Sequence, residues 1–538
     1  MKAKEPIILP EKYYLDYFKY LLAFVERHYG HVLAAPEYLF LQEFDSLTED
    51  AQCLYLRCSN RKGDFFRISK MNYHEIVDIT AAKEELLHTG FFAKNETLDT
   101  IQFKLFTKNE LIHIFDFLDK KARKSTLLQE LTESDMEILQ AQEEIIQTQK
   151  NQEVEFIKLL FFGNRYSQMT EFVIRDIGNV QIKSLDEAKF QPWFSTREEA
   201  LAVMHLSQLK PMVREVIANQ LPLEEFLSEM PWTHWLQFPR AQEAADKLLL
   251  EIGAYFEKRA HYKNAVRYFS FAKLPPARER TVRILDKLDN KEAAVDLARD
   301  ILEDPKNASE LTFATDYLNK SGMRIDRSMT RRLQKALIID LARSNDRVER
   351  QVLSHFGNEG WEGIHAENFI WKNLFGLVFW EELFREDYGD FHHPLQRQPS
   401  DLNHPAFYLK RKMDLETRLK ALRSKKALFK HVMEVFEENK GLANRFVYWT
   451  DQYLPIAEMM INKLPLKGLK KVLLEIARQT KDNSTGFPDL FIWNETDYRF
   501  YEVKSPNDHL SAQQLFWLNF LTAAGIKADI IRVKYTTK

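Results

Sequence analysis

Residues 486–504, GFPDLFIWNETDYRFYEVK, leave the chain little choice of local structure. Two aromatic and β-branched runs, 490–493 and 498–504, flank the polar loop 494–497, which is the pattern of a β-hairpin. Side chains alternate across a strand, so Glu502 and Lys504, two apart, point to one face. The preceding strand brings Asp489 to that same face. Two carboxylates and one ammonium are thus expected to converge at a sheet edge. Paired carboxylates suit a hard divalent cation such as Mg²⁺ or Mn²⁺, one or two ions. Such an ion activates water and offsets charge building on a phosphate, and a neighbouring lysine orients the attacking water or stabilises phosphoryl oxygens.

The residues after the hairpin, SPNDHLSAQQLFWLNFL, narrow the reading. Pro506 blocks helix, and Asn507 or Asp508 makes a turn. Ser511 is placed as the N-cap of a helix carrying Leu515, Leu518 and Leu521, which Gly525 ends before a further strand at 529–533. Pro488-Asp489 with Glu502-Val503-Lys504 is the PD-(D/E)xK nuclease pattern. Over roughly forty positions, GFPDL…EVKSPNDHLSAQQLFWL resembles the VRR-NUC branch of those nucleases, in particular the bacterial members of the Fanconi-associated nuclease family. The resemblance extends to GIHAE at 363–367, the stretch that supplies a further metal-site glutamate in that family, here Glu367.

What the resemblance implies is a metal-dependent, structure-selective DNA endonuclease and 5′–3′ exonuclease of the phosphodiesterase I type. It would cut near the 5′ end of branched DNA, especially 5′ flaps, and serve interstrand crosslink repair. Glu367, Asp489 and Glu502 would ligate Mn²⁺ or Mg²⁺ together with the Val503 carbonyl, Lys504 would position water, and Gln514 would orient DNA or a neighbouring group. Two rivals stand beside it: a Holliday-junction resolvase or restriction-type nuclease, and a DNA-binding scaffold with an inactive nuclease fold.

The residues around GIHAE read as a strongly apolar helix beginning near Ile364, with Glu367 inward beside Ile370, Trp371 and Leu374. An unpaired carboxylate in that company is costly, so Glu367 is expected to have a cation partner. His365 reads as structural, Glu381 and Glu382 as solvated, and His392-His393 as surface residues of a loop.

Upstream, the expected fold is mostly α. Residues 12–50 read as helices. Residues 52–70 (QCLYLRCSNRKGDFFRISK) read as a β-hairpin with a basic tip, and with a following helix ending near Gly90 they suggest a winged-helix-like DNA binder. Arg57, Arg61, Lys62, Arg67 and Lys70 are its phosphate-contacting candidates. Residues 105–131 show two short amphipathic helices joined by a basic linker containing Lys120, Lys121, Arg123 and Lys124. They resemble a SAP-type module without its linker glycine. Residues 133–155 read as one polar connecting helix. From about 240 to 350, YKNAVRYF and KEAAVDLA recur 29 residues apart and resemble degenerate tetratricopeptide-like (TPR) hairpins, with Pro275-Pro276 and Pro305 as breaks. Arg278, Arg280, Arg283 and Arg299 there read as solvated helix faces. Lys463, Lys467, Lys470, Lys471, Arg478 and Lys481, just ahead of Asp489, are candidates for gripping DNA beside the cut.

The expected division is therefore a helical region at 1–50, winged-helix-like and SAP-type DNA-binding segments at 51–240, TPR-like repeats at 241–358, and an α/β nuclease domain at 359–538. A chain of 538 residues accommodates three or four such domains. Its net charge of −3 makes any basic surface local. Cys53 and Cys58 are expected on opposite sides of a strand, both buried as packing residues, which leaves no cysteine for a Cys₄ or Cys₂His₂ zinc finger elsewhere in the chain. With no GxxxxGK[ST] loop, no apolar run of membrane-spanning length and no signal peptide, the expectation is an ATP-independent, soluble protein. It would work in the cytoplasm or nucleoid (the nucleus in a eukaryote), as a monomer on DNA, with protein partners unspecified.

Overall fold

The computed structural model describes residues 9–61, 63–94, 102–178, 181–323, 335–506 and 508–536. The chain forms two compact units, one of residues 1–179 with 192–208 and one of residues 180–191 with 209–538. Among the described residues no helix is long and apolar enough to cross a membrane.

The first unit is built on aromatic packing. Helices Tyr13–Tyr29, Ala35–Ser46 and Glu49–Ser59 bury Phe18, Phe40, Phe44 and Tyr55, with Tyr55 edge-on to Phe91 at 5.0 Å. The helices expected over 12–50 are present. The expected hairpin at 52–70 is not: CLYLRC is helical. The Thr48 hydroxyl caps the helix by accepting from Ala51 N, Glu49 and Asp50 favour its first turn, and Ala51, Leu54, Tyr55 and Cys58 form one buried stripe at helical spacing. Cys53 and Cys58 are both buried, as expected, but on this helix and not across a strand. Residues Phe65–Arg67 do form a strand, β1; Phe92–Lys94 form β2 and Ile145–Thr148 form β3. Both β1 and β2 pair antiparallel with β3, in the order β1-β3-β2. The single helix expected over 133–155 is thus divided into Glu133–Gln142, β3 and Asn151–Phe162. The two short helices of the basic-linker segment appear as Lys108–Ile114 and Lys124–Glu130. Leu111, Phe115, Leu118 and Leu127 form one core between them.

In the second unit, helices Pro239–Lys258, Tyr262–Phe271, Ala277–Lys287, Lys291–Glu303 and Ala308–Lys320 each lie against the next. Ala265 and Ala294 are fully buried. At Gly253 the Phe269 ring packs so closely on the helix that a Cβ would stand 2.5 Å from it. The arginines of this array pair with carboxylates, Arg278 with Glu310, Arg280 with Glu257, Arg283 with Glu279 and Arg299 with Asp296.

The C-terminal sheet has five strands: β4 (Leu337–Ala342), β5 (Glu362–His365), β6 (Leu490–Trp493), β7 (Tyr498–Lys504) and β8 (Ala528–Thr536), ordered β4-β8-β7-β6-β5. The β6–β7 hairpin forms as expected, Leu490 opposite Tyr501 and Trp493 opposite Tyr498, while β8 runs parallel to both β7 and β4. Helix Val348–Asn358 closes one face, where Val352 and Phe356 meet Ile339, Leu490, Ile492, Tyr501, Val503, Ile531 and Val533. Residues 337–358, expected among the repeats, therefore belong with the C-terminal sheet. Helix Ala512–Ala523 starts at Ser511, whose hydroxyl accepts from Gln514 N, as the sequence indicated.

Four local expectations change around GIHAE and the segment behind it. Residues 362–365 are a strand, and the apolar helix starts at Phe369, burying Ile370, Trp371 and Leu374. Glu367 is exposed with φ 37°, so no burial cost demands a cation partner for it. His392 and His393 are buried, because their loop folds over Arg411. That guanidinium is itself 0% exposed and ion-pairs with Asp390 and Asp401. Glu382 is buried on Arg418, which also pairs with Glu381.

Candidate active site

The β6–β7 hairpin does what its alternation requires. On β7, Lys504 Nζ stands 2.9 Å from Glu502 Oε1. Gln514, one turn into the capped helix, bridges the pair: its Nε2 donates to Glu502 Oε1 at 2.5 Å, and its Oε1 accepts from Lys504 Nζ at 3.1 Å. Glu502 is 1% exposed and Lys504 7%. Asp489, immediately before β6, accepts from Val503 N at 2.8 Å through Oδ2. The N–H and C=O of one strand residue point to the same edge, so the Val503 carbonyl faces the side on which Asp489 stands. Asp489 O in turn accepts from Ala366 N (2.8 Å) and Glu367 N (3.1 Å), which fastens GIHAE to the rim of the site. The Glu367 carboxylate itself accepts from Asn368 Nδ2.

Electrostatically the site is strained in the sense a cation relieves. Burial, and then repulsion from Asp489, push the Glu502 carboxyl up to about 8, with Lys504 opposing. Burial likewise raises Asp489. Glu502 Oε2 is buried without a hydrogen-bond partner. Two carboxyls that cannot both ionise comfortably, one of them with an orphaned buried oxygen, fit a divalent ion with oxygen ligands.

The described residues also bring together a set the sequence did not signal. Glu349, in the first turn of helix Val348–Asn358, and His365, at the end of β5, each place a ligand atom within 4.8 Å of the other's and of Asp489's. Nothing local distinguishes Glu349 from the other acids of its segment. It arrives only because the helix crosses β5 and β6.

The other candidates are scattered. Arg67 is spent inside the fold, paired with Glu110 (2.9 Å) and Glu143 (2.8 Å) and over the Phe106 ring, so it is not available to phosphate. Arg57 is held by the buried carboxylate of Glu75 and Lys70 by Glu110. Arg61 is exposed, over Tyr73, with no carboxylate partner among the described residues. Lys62 lies outside the described residues. Lys121 is exposed, and Lys124 Nζ donates to the Lys104 carbonyl. Lys467, Lys471 and Lys481 are exposed and Lys470 half-buried, on or just after helix Leu466–Arg478. Lys463 instead donates to the Asn494 and Glu495 carbonyls of the hairpin loop.

Comparison with known proteins matches both ends of the chain. Residues 12–93 match the FAN1 HTH domain and residues 424–535 the VRR-NUC domain. The Fanconi-associated nuclease 1 homolog of Pseudomonas aeruginosa is 29% identical over 551 aligned residues, covering 98% of this chain and 97% of that protein. The human Fanconi-associated nuclease 1 is 30% identical over 194 residues, 35% of this chain and 19% of its own. A crystal structure of paFAN1 bound to DNA with a 2-nucleotide 5′ flap and a gap superposes with a TM-score of 0.84 at 27% identity, covering 99% of this chain and 100% of that one. The likeness runs from the helical front to the last strand, in sequence and in fold, so over its whole length the chain is similar to the Fanconi-associated nucleases, bacterial members included.

Proposed function

We propose that the chain is a metal-dependent, structure-selective nuclease that hydrolyses phosphodiester bonds of branched DNA, 5′ flaps above all. We assign it 5′–3′ exonuclease activity and a role in interstrand crosslink repair. The observation that carries the reading is the buried Glu502 with its unpartnered Oε2, next to Asp489 and clamped by Lys504 and Gln514. Asp489, Glu502 and the Val503 carbonyl would hold Mn²⁺ or Mg²⁺, with Glu367 at the rim. Bound there, the ion would supply Lewis-acid stabilisation of charge on the scissile phosphate. The chain's own residues do the rest. Lys504, kept beside Glu502 by Gln514, orients the attacking water and places a positive charge where phosphoryl oxygens gain negative charge. The strands hold these groups rigidly, so little reorganisation is needed at the moment of reaction.

In the same reading Arg61, Lys62, Lys121 and Lys124 in the helix-turn-helix and SAP-type segments contact duplex phosphates. Lys467, Lys470, Lys471 and Lys481 grip DNA near the cut, and the TPR-like array links the two. One chain then holds one flap. The test is cleavage of a 5′ flap, a four-way junction and a plain duplex, with Mn²⁺ and with EDTA. Flap cutting should vanish with EDTA and in Asp489→Ala, while flap binding persists in the variant. Undiminished cutting by Asp489→Ala would remove the site assignment, and cutting of junctions alone would turn the reading to a resolvase.

A further inference from the structure

The first unit holds a cavity of about 430 Å³ that the proposed reaction does not use, a volume in the range of small-ligand sites. Helix Tyr13–Tyr29, the end of helix Glu49–Ser59, helix Asn151–Phe162 and residues 164–173 wall it. Four cations line it, Arg57, Arg61, Lys158 and Arg165, against the single carboxylate of Glu155. That carboxylate is taken by Arg165, and Arg57 is held by Glu75. Arg61 and Lys158 have no carboxylate partner among the described residues, and Lys158 Nζ donates to Asn60 Oδ1 at 3.0 Å. Burial holds that ammonium below its ordinary value, a cost that an anion in the cavity would relieve. A second polar group points the same way. Ser59, also in the lining, has its Oγ buried without a hydrogen-bond partner. Beside these charges stand aromatic and apolar groups, Tyr13, Tyr17, Leu56 and Met169.

We propose that this cavity binds a nucleoside monophosphate, its phosphate on Arg61, Lys158 and Ser59 and its base against Tyr13 and Tyr17. The donors set the class. A guanidinium, an ammonium and a hydroxyl together match a phosphate, which accepts through several oxygens at once. Inorganic phosphate would occupy only part of the volume and leave the rings uncovered, whereas a base has a face that stacks on an aromatic side chain. A duplex presents its phosphates on a convex surface too broad to enter a cavity of this size. It could reach the exposed Arg61 but not the buried Ser59 hydroxyl. The inference is independent of the nuclease reading.

The experiment uses the full chain in EDTA with dAMP as the probe, read by isothermal calorimetry. Deoxyadenosine, inorganic phosphate and a blunt duplex serve as comparators. Wild type and Asp489→Ala should bind one dAMP per chain with equal affinity, which separates the cavity from the nuclease centre. Deoxyadenosine and inorganic phosphate should each bind roughly tenfold or more weakly than dAMP. Lys158→Met keeps the apolar stem and loses the charge, so dAMP affinity should fall about tenfold or more, and Ser59→Ala should weaken it severalfold. Because the Ser59 hydroxyl is unsatisfied without ligand, Ser59→Ala should not lower the melting temperature of the free protein. A melting curve of Lys158→Met checks its fold, and Ser59→Ala decides alone should that variant not fold. Absent dAMP binding, or dAMP binding unchanged in Ser59→Ala and in folded Lys158→Met, overturns the proposal. Inorganic phosphate binding as tightly as dAMP overturns it too. Loss of duplex affinity in Lys158→Met to the same extent as its loss of dAMP affinity would make the cavity a DNA contact and overturn it as well.

Discussion

Glu502 offers the sharpest quantitative handle. Its carboxyl sits at about 8 in the metal-free fold against an ordinary value of 4.5, chiefly through burial. At pH 7 about nine-tenths of that group carries a proton, and an ion can bind it only as the carboxylate, so binding one ion should release about 0.9 proton. Asp489 is raised by burial as well, so it does not offset the release. Titrating Mn²⁺ calorimetrically at pH 7 in two buffers of different ionisation enthalpy measures the number directly. In Glu502→Gln the Glu502 contribution should disappear. The same group governs stability without metal. The folded state keeps a proton that the unfolded chain gives up above 4.5, so this contribution is complete below 4.5 and is lost as pH rises through about 8. The ceiling is roughly 5 kcal/mol, shared with the neighbouring carboxyl. The metal-free protein should therefore melt lower at pH 8.5 than at pH 6, and Glu502→Gln should flatten that slope. Heats that do not depend on the buffer, or the same proton release in wild type and Glu502→Gln, would refute the reasoning.

Three further outcomes follow from the geometry. Gln514→Ala unlocks Lys504 from Glu502, so kcat on a flap should fall on the order of ten- to a hundredfold while flap affinity stays put; the comparison is single-turnover cleavage against fluorescence anisotropy. Arg411→Ala leaves Asp390 (1% exposed) and Asp401 (5% exposed) with only the more exposed Lys410 as a cation partner and should cost about 3–5 kcal/mol in denaturant unfolding. Lys467→Glu with Lys471→Glu should weaken flap and duplex binding alike, and each lost phosphate contact should lower the salt slope of the affinity by about one. A change confined to one substrate would remove those lysines from the grip.

What was legible in the sequence is what a short window can encode. Alternation alone placed Glu502 and Lys504 on one face, polar residues 494–497 marked the hairpin turn, and Ser511 three residues before Gln514 announced the cap that sets Gln514 over both. The same window misled at residues 52–58, where apolar residues suit a strand or a buried helix equally. The choice fell to Thr48 and the acids behind it. It misled again at Glu367, because the turn after β5 follows from β5 pairing with β6, more than a hundred residues away. Strand partners, the inclusion of residues 337–358 in the nuclease sheet, the burial of His392 and His393 and the approach of Glu349 and His365 to Asp489 were decided only by tertiary structure. Periodicity reports which face a side chain takes. Which distant backbone edge satisfies a strand's hydrogen bonds, and which charge then lies beside it, depends on how the whole chain buries its apolar surface.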